Sequence, residues 1–209
     1  MTPITDTVKH LIINNILFYL GTNLIGNVAE NYNYLALFGF GNEFYSPYQF
    51  FTHMFMHAPM PDISHIAFNM FALYSFGSNL EQIWGSQKFL FFYITCGLVA
   101  GLTNNLINFY VFHDTMTSAV GASGAIYGLL VAFGFMFPEA TLGFMFIPVP
   151  VKAKYFIPFI VGMDLFSGVT GYSLFGSGIA HFAHVGGALA GFIMMLIWKK
   201  NQFNENRWN

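Results

Sequence analysis

Six stretches of this chain are apolar for long enough, and interrupted seldom enough, to cross a bilayer as helices. They lie near 11–28, 63–83, 88–110, 120–137, 155–171 and 179–198, each close to the ~20 residues that a spanning helix needs. Asn14, Asn15 and Asn23 dilute the first, and the fifth is short and carries Asp164. The connection between the first two, about 29–62, is long, has no lysine or arginine, and centres on Phe50-Phe51-Thr52-His53-Met54-Phe55-Met56-His57. Aromatic residues favour the membrane interface, so this connection is expected to lie partly in the bilayer. Pro59 and Pro61 break regular structure just before the second stretch. The pattern predicts an all-α polytopic bundle of six transmembrane helices. It forms one domain over 1–209, with a core of about 46–198 and a short tail at each end.

Composition agrees with that pattern. Of 209 residues, 56% are hydrophobic and 8% charged, whereas a soluble domain carries roughly a quarter charged residues. The net charge of −2 says little, but the placement of the cations says more. Lys9, Lys88, Lys152, Lys154, Lys199, Lys200 and Arg207 all fall at the termini or in the second-to-third and fourth-to-fifth connections. In a six-span chain these are one side of the membrane, and basic loops stay cytoplasmic. Both termini are therefore expected to be cytoplasmic, and the first connection faces outward. The single cysteine, Cys96, lies in an apolar run, which leaves no intrachain disulfide framework and no cysteine metal cluster. No signal-peptide cleavage pattern precedes the first apolar stretch, so that stretch is expected to be retained.

Spans two, four and six enter from the same face, and each carries a reactive group in its first two turns. These are His65 and Asn69, Ser123, and His181 with His184, which the shared direction brings to a similar depth. Ionisable groups within spans usually face the bundle interior or a wet cavity. Ser123 sits among glycines in the run from Thr117 to Gly128; small neighbours leave a hydroxyl uncovered, as a nucleophile requires. Such a run is on its own more often a packing face. Here Gly124 and Gly128 on span four, and Gly187 and Gly191 on span six, make two small faces that bring those helices close. The imidazole of His184 then reaches the Ser123 hydroxyl.

The chemistry implied is acyl transfer: His184 accepts the Ser123 proton and returns it to the leaving amine. Oxyanion donors would be the Asn69 amide, the His65 ring N–H and the Ser123 backbone N–H. Asp164 is placed nearer the outer end than mid-membrane on a span running the other way. An acid-free dyad is therefore expected, with Tyr127, one turn from Ser123, stacking on the ring. Two blander readings stand beside this. His65 with Asn69 can be an interhelical hydrogen-bond pair. His181, His184 and His65 can be metal ligands, although no carboxylate or thiolate completes that set, and no metal or cofactor is expected. His53 and His57 read as structural hydrogen-bond donors of the outer loop.

With these residues in place, the chain resembles the rhomboid intramembrane serine proteases, in the compact six-span form common in bacteria, from about Ser46 to Gly191. Gly121-Ala122-Ser123-Gly124 matches the family's G-x-S-G motif, and Ala183-His184 with Gly187 and Gly191 matches that of the catalytic histidine. His65-Ile66-Ala67-Phe68-Asn69 matches the H-x-x-x-N element that stabilises the oxyanion, and Tyr127 falls where a tyrosine meets the catalytic ring. Glu81-Gln82-Ile83-Trp84-Gly85-Ser86 resembles the E-x-x-x-G-S turn, whose glutamate supports the fold. The family's Trp-Arg pair at the start of the outer loop is replaced by Tyr48-Gln49, leaving that loop's anchor open.

The resemblance implies an endopeptidase cutting single-span membrane proteins near the outer face, embedded in membrane lipid, without nucleic-acid partners. A bacterial cytoplasmic membrane is the expected location. Helical carbonyls are hydrogen-bonded, so a substrate must arrive sideways and unwind. The glycines of span five, Gly162, Gly168 and Gly171, suggest a loose helix beside that route, with the loop from Tyr172 to Gly178 as a lid. The competing readings are a non-catalytic rhomboid-like binder of transmembrane helices and a small transporter. The latter is disfavoured by the lack of an internal repeat.

Overall fold

A computed structural model describes residues 3–144, 147–172 and 179–205. The proposed lid falls almost wholly outside the described residues, as does Arg207. The described helices, in order, are α1 (Asp6–Leu24), α2 (Val28–Leu35), α3 (Gln49–Thr52), α4 (Ser64–Ala72), α5 (Ser78–Trp84), α6 (Ser86–Tyr110), α7 (Ser123–Met136), α8 (Ala153–Thr170) and α9 (His181–Glu205). A π-helical segment, Leu73–Gly77, joins α4 to α5 without a break. Each of the six apolar stretches is thus helical. Among the described helices, α6 and the Lys200-bounded part of α9 are long and apolar enough to cross a membrane. Leu17, Phe71, Phe91, Phe159 and Ile197 stand exposed on the outer faces of the helices. A surface of this kind needs apolar surroundings, and the fold is that of a membrane protein.

The ends of the elements have local causes. α1 starts where the Glu81 carboxylate accepts from the backbone N–H groups of Thr7 (3.0 Å) and Val8 (2.9 Å) and from the Thr5 hydroxyl. Those N–H groups have no partner within the helix, and an anion there is favoured by the helix dipole. The same carboxylate accepts from Ser86 Oγ (2.7 Å) at the start of α6. One side chain therefore ties three helix ends together. Gly85, at φ +77°, makes the reversal between α5 and α6. α7 is shorter than expected, because Ser118–Ala119 (β2) is drawn into a strand and Gly121 turns at φ +117° before the helix begins at Ser123.

β2 pairs antiparallel with Leu37–Phe38 (β1), so that Leu37 faces Ala119 and Phe38 faces Ser118. This pins the outer connection to the chain just upstream of Ser123. Gln49 fixes the rest of that connection from a fully buried position. Its Nε2 donates to the carbonyls of Phe44 (2.8 Å), Asn33 (3.2 Å) and Tyr34 (3.3 Å), and its Oε1 accepts from the N–H groups of Ser46 (3.1 Å) and Phe38 (3.3 Å). The neutral amide thus supplies the anchor that the Tyr48-Gln49 departure had left open. The connection between the fourth and fifth stretches contains an antiparallel pair of strands, Thr141–Phe144 (β3) and Ile147–Lys152 (β4).

The core is built by α6, α7 and α9, which pack most extensively on one another. Phe92, Tyr93 and Cys96 of α6 meet Ala125, Ile126 and Leu129 of α7 in one buried cluster. α7 and α9 approach through glycine. A Cβ on Gly187 would lie 1.9 Å from the Gly124 carbonyl oxygen, and one on Gly191 would lie 2.7 Å from that of Gly128. The paired small faces read from the sequence are therefore in contact. α8 lies against α9 and is less uniform than its glycines implied. Gly162 and Gly171 meet open space, but Gly168 is closely covered by Phe182 and His181 of α9.

Candidate active site

Glycine contact between α7 and α9 sets the first distance. His184 Nε2 lies 2.8 Å from Ser123 Oγ, and the Tyr127 ring stacks on the imidazole at 4.2 Å between centroids and 10° between planes. Ser123 opens α7, so its backbone N–H belongs to the first turn, where donors have no intrahelical acceptor and the dipole favours negative charge. A hydroxyl, an imidazole and a free donor therefore meet at one helix end.

His65 comes in from α4. Its Nδ1 accepts the Ala58 N–H at 3.1 Å, so in the neutral ring the proton must sit on Nε2. That Nε2 lies 2.9 Å from where a Cβ on Gly121 would stand, a point itself 3.7 Å from Ser123 Oγ. The absence of a side chain at Gly121 leaves room between the hydroxyl and the His65 N–H. Asn69, a turn further on, is buried and gives one amide hydrogen to the His65 carbonyl (2.7 Å), which leaves its second hydrogen for another acceptor. Gly121 N–H donates to the His53 carbonyl at 2.8 Å, so the outer loop holds the residue that shapes this gap.

Both loop histidines are hydrogen-bonded. His53 Nδ1 meets the Gln49 carbonyl at 2.8 Å, and His57 Nε2 meets Asn15 Oδ1 at 2.9 Å. The His57 ring stands edge-on to that of His65, 5.2 Å away.

The expectation of an acid-free dyad is corrected by α8. Asp164 is buried, and its Oδ1 accepts from His181 Nδ1 at 2.6 Å and His184 Nδ1 at 3.1 Å. Its other oxygen accepts the Tyr127 hydroxyl. The sequence contained this arrangement. Asp164 lies six residues before the end of α8 and His184 three residues after the start of α9. At ~1.5 Å per residue, two antiparallel neighbours put these groups within roughly 5 Å of one depth. Asp164 reads from the chain as lying near one end of its span, and His184 lies near the adjoining end of α9. The histidine trio weighed as metal ligands is not the cluster that forms, since Asp164 takes the place of His65 beside His181 and His184. All three groups there are already joined by hydrogen bonds.

A family model described as Rhomboid domain matches residues 45–201. Presenilin-associated rhomboid-like protein, mitochondrial, of Mus musculus is 32% identical over 151 residues, covering 69% of this chain and 38% of that protein. RHOMBOID-like protein 12, mitochondrial, of Arabidopsis thaliana is 31% identical over 155 residues, covering 68% and 44%. Rhomboid protein 1, mitochondrial, of Saccharomyces cerevisiae is 28% identical over 129 residues, covering 62% and 36%. The chain thus spans less than half the length of these relatives.

All three are mitochondrial by name, and this overturns the expected bacterial cytoplasmic membrane. The cation pattern reports which side of a membrane is basic, not which membrane it is, and so it carried no information about the compartment. With a domain match across most of its length and relatives of this similarity, the chain belongs to the rhomboid family.

Proposed function

We propose that this chain is an intramembrane serine endopeptidase of a mitochondrial membrane, acting on single-span membrane proteins. Its single domain crosses the bilayer six times, and the site lies near the face opposite the lysine-bearing connections. The observation that carries the reading is the 2.8 Å approach of His184 Nε2 to Ser123 Oγ beneath a stacked tyrosine. Names of relatives support the compartment: the three above are mitochondrial rhomboid proteins.

Ser123 Oγ attacks the carbonyl carbon of the scissile peptide as its proton passes to His184 Nε2. The oxyanion forms in the gap over Gly121, where the His65 Nε2–H, the Ser123 N–H and the second Asn69 amide hydrogen donate to it. One such donor is worth about 10²–10³ in rate. The C–N bond then breaks, and His184 gives the proton to the departing amine. Water repeats the sequence on the acyl-enzyme and regenerates Ser123. Gly121, Gly124 and Gly187 support the site by keeping side chains out of the gap and out of the helix contact. A substrate helix must unwind to offer a free carbonyl, so segments with Gly or Pro and a small residue at the cut are the preferred ones.

The test is incubation of the purified chain with a panel of single-span proteins, with cut positions read by mass spectrometry. Cleavage within or just outside an apolar segment by wild type, absent in Ser123→Ala and His184→Ala, is the expected result. Retention of transmembrane partners without any cleavage would assign the chain to the non-catalytic binders instead.

A further inference from the structure

We propose that Asp164 is a positioning residue that turns the Ser123–His184 pair into a triad, and that His181 and Tyr127 clamp its carboxylate for that task. The inference rests on the protease reading above and adds to it a role that neither the sequence motifs nor the relatives' names assign.

The argument begins with donors and acceptors. A carboxylate only accepts, so the contact from His184 Nδ1 to Asp164 Oδ1, at 3.1 Å, places the imidazole proton on Nδ1. The neutral ring then presents a lone pair at Nε2, the atom 2.8 Å from Ser123 Oγ. This is the tautomer a general base needs, and the other tautomer would present an N–H to the hydroxyl. Two further contacts fix the acid itself. His181 Nδ1 donates to Oδ1 at 2.6 Å, and the Tyr127 hydroxyl donates to the second oxygen. Tyr127 therefore holds the histidine twice, by stacking on its ring and by steadying the acid behind it.

The four groups come from three helices. His181 and His184 lie three apart on α9, which puts both rings on one face. Asp164 of α8 meets that face, and Tyr127 of α7 closes the far side. Gly168, one turn beyond Asp164, has no side chain to hold α8 away from His181, since a Cβ there would lie 3.3 Å from the His181 Cβ and 2.9 Å from the Phe182 ring. In the reaction, the proton taken from Ser123 leaves an imidazolium between Ser123 and Asp164. The carboxylate stabilises that cation and stays ionised, and no proton passes to it.

The experiment is steady-state cleavage of a fluorogenic single-span peptide by the full chain in detergent, comparing wild type, Ser123→Ala and Asp164→Asn. Histidine side chains are read alongside by ¹⁵N-edited NMR, with His184 assigned by the loss of its signal in His184→Gln. The expected result for Asp164→Asn is a kcat lower by about 10²–10⁴-fold, with KM within about threefold of wild type. Wild type should show a low-field proton on His184 Nδ1, displaced in Asp164→Asn. A kcat within threefold of wild type overturns the proposal, as does a loss carried mainly by KM. If the variant does not fold, the wild-type spectrum decides: a proton on Nε2 of His184 at neutral pH overturns the proposal. A wild type no faster than Ser123→Ala instead removes the protease reading, while the His184 tautomer still decides the Asp164 contact.

Discussion

Gly187 and Gly124 meet backbone to backbone: a Cβ on Gly187 would stand 1.9 Å from the Gly124 carbonyl oxygen. That approach lets the α9 imidazole reach the α7 hydroxyl, so one methyl group tests it. Gly187→Ala must push the helices apart at the level of the active pair. We expect at least a tenfold loss of cleavage, since misplacement of about 1 Å can remove ~100-fold, and a lower melting temperature. Gly162→Ala, where a Cβ meets nothing within 4 Å, serves as the control and should leave both unchanged. Equal behaviour of the two variants contradicts the account of the contact.

Tyr127→Phe keeps the stacked ring and deletes the hydroxyl that donates to Asp164. A hydrogen bond to a charged group is worth about 1.5–3 kcal/mol, so kcat should fall by roughly tenfold or more. Tyr127→Ala, which also removes the stack, should fall further. Kinetics for the two variants give the order, and a phenylalanine variant as active as wild type would show that stacking alone suffices.

Gln49 satisfies five backbone groups of the outer loop from a fully buried position. In Gln49→Leu those groups lose their partner, and leaving even one or two of them unpaired costs about 3 kcal/mol. The expected outcome is a melting temperature lower by several degrees and faster proteolysis between Ala36 and Tyr48. Gln49→Glu should also destabilise the loop, because a carboxylate cannot donate to the carbonyls of Phe44, Asn33 and Tyr34. An unchanged melt in the leucine variant would place the loop's anchor elsewhere.

Much of this was legible in the chain, for physical reasons that also mark its limits. Spacing on a helix is local, so Ser123 with Tyr127, His65 with Asn69, and the paired glycines were all readable, and the structure brings Ser123, Tyr127, His184 and the His65 ring together. The contact of Asp164 with His184 was harder to read, because it lies across a helix pair instead of along one helix. The five contacts of Gln49 were not legible, since they depend on how a long irregular loop folds back on itself. Nor was the β1–β2 pair, two residues to a strand, too short for an alternating pattern to register. The compartment was missed for another reason: the two faces of any membrane can differ in charge.

On the lysine-bearing side, Glu139 accepts from Lys152 Nζ (2.7 Å) and Lys154 Nζ (2.5 Å). These two hydrogen bonds bring its carboxyl down from an ordinary value of 4.5 to about 2. A depressed carboxyl favours the folded form above the unfolded value, near 4.5, and that contribution is lost as pH falls toward 2. A ¹³C carboxyl titration should therefore place the Glu139 midpoint near 2 at low salt and move it upward as salt is added, because exposed pairs are screened. A midpoint near 4.5 at low salt contradicts the pairing.

The most direct test of the central claim is to treat the folded chain with a fluorophosphonate and find the modified residue by peptide mass spectrometry. Only a hydroxyl activated by a neighbouring base reacts readily with such a reagent. The account predicts one adduct, on Ser123, absent from Ser123→Ala and strongly slowed in His184→Ala. An adduct on another serine, or labelling at Ser123 that proceeds as fast without His184, would contradict it.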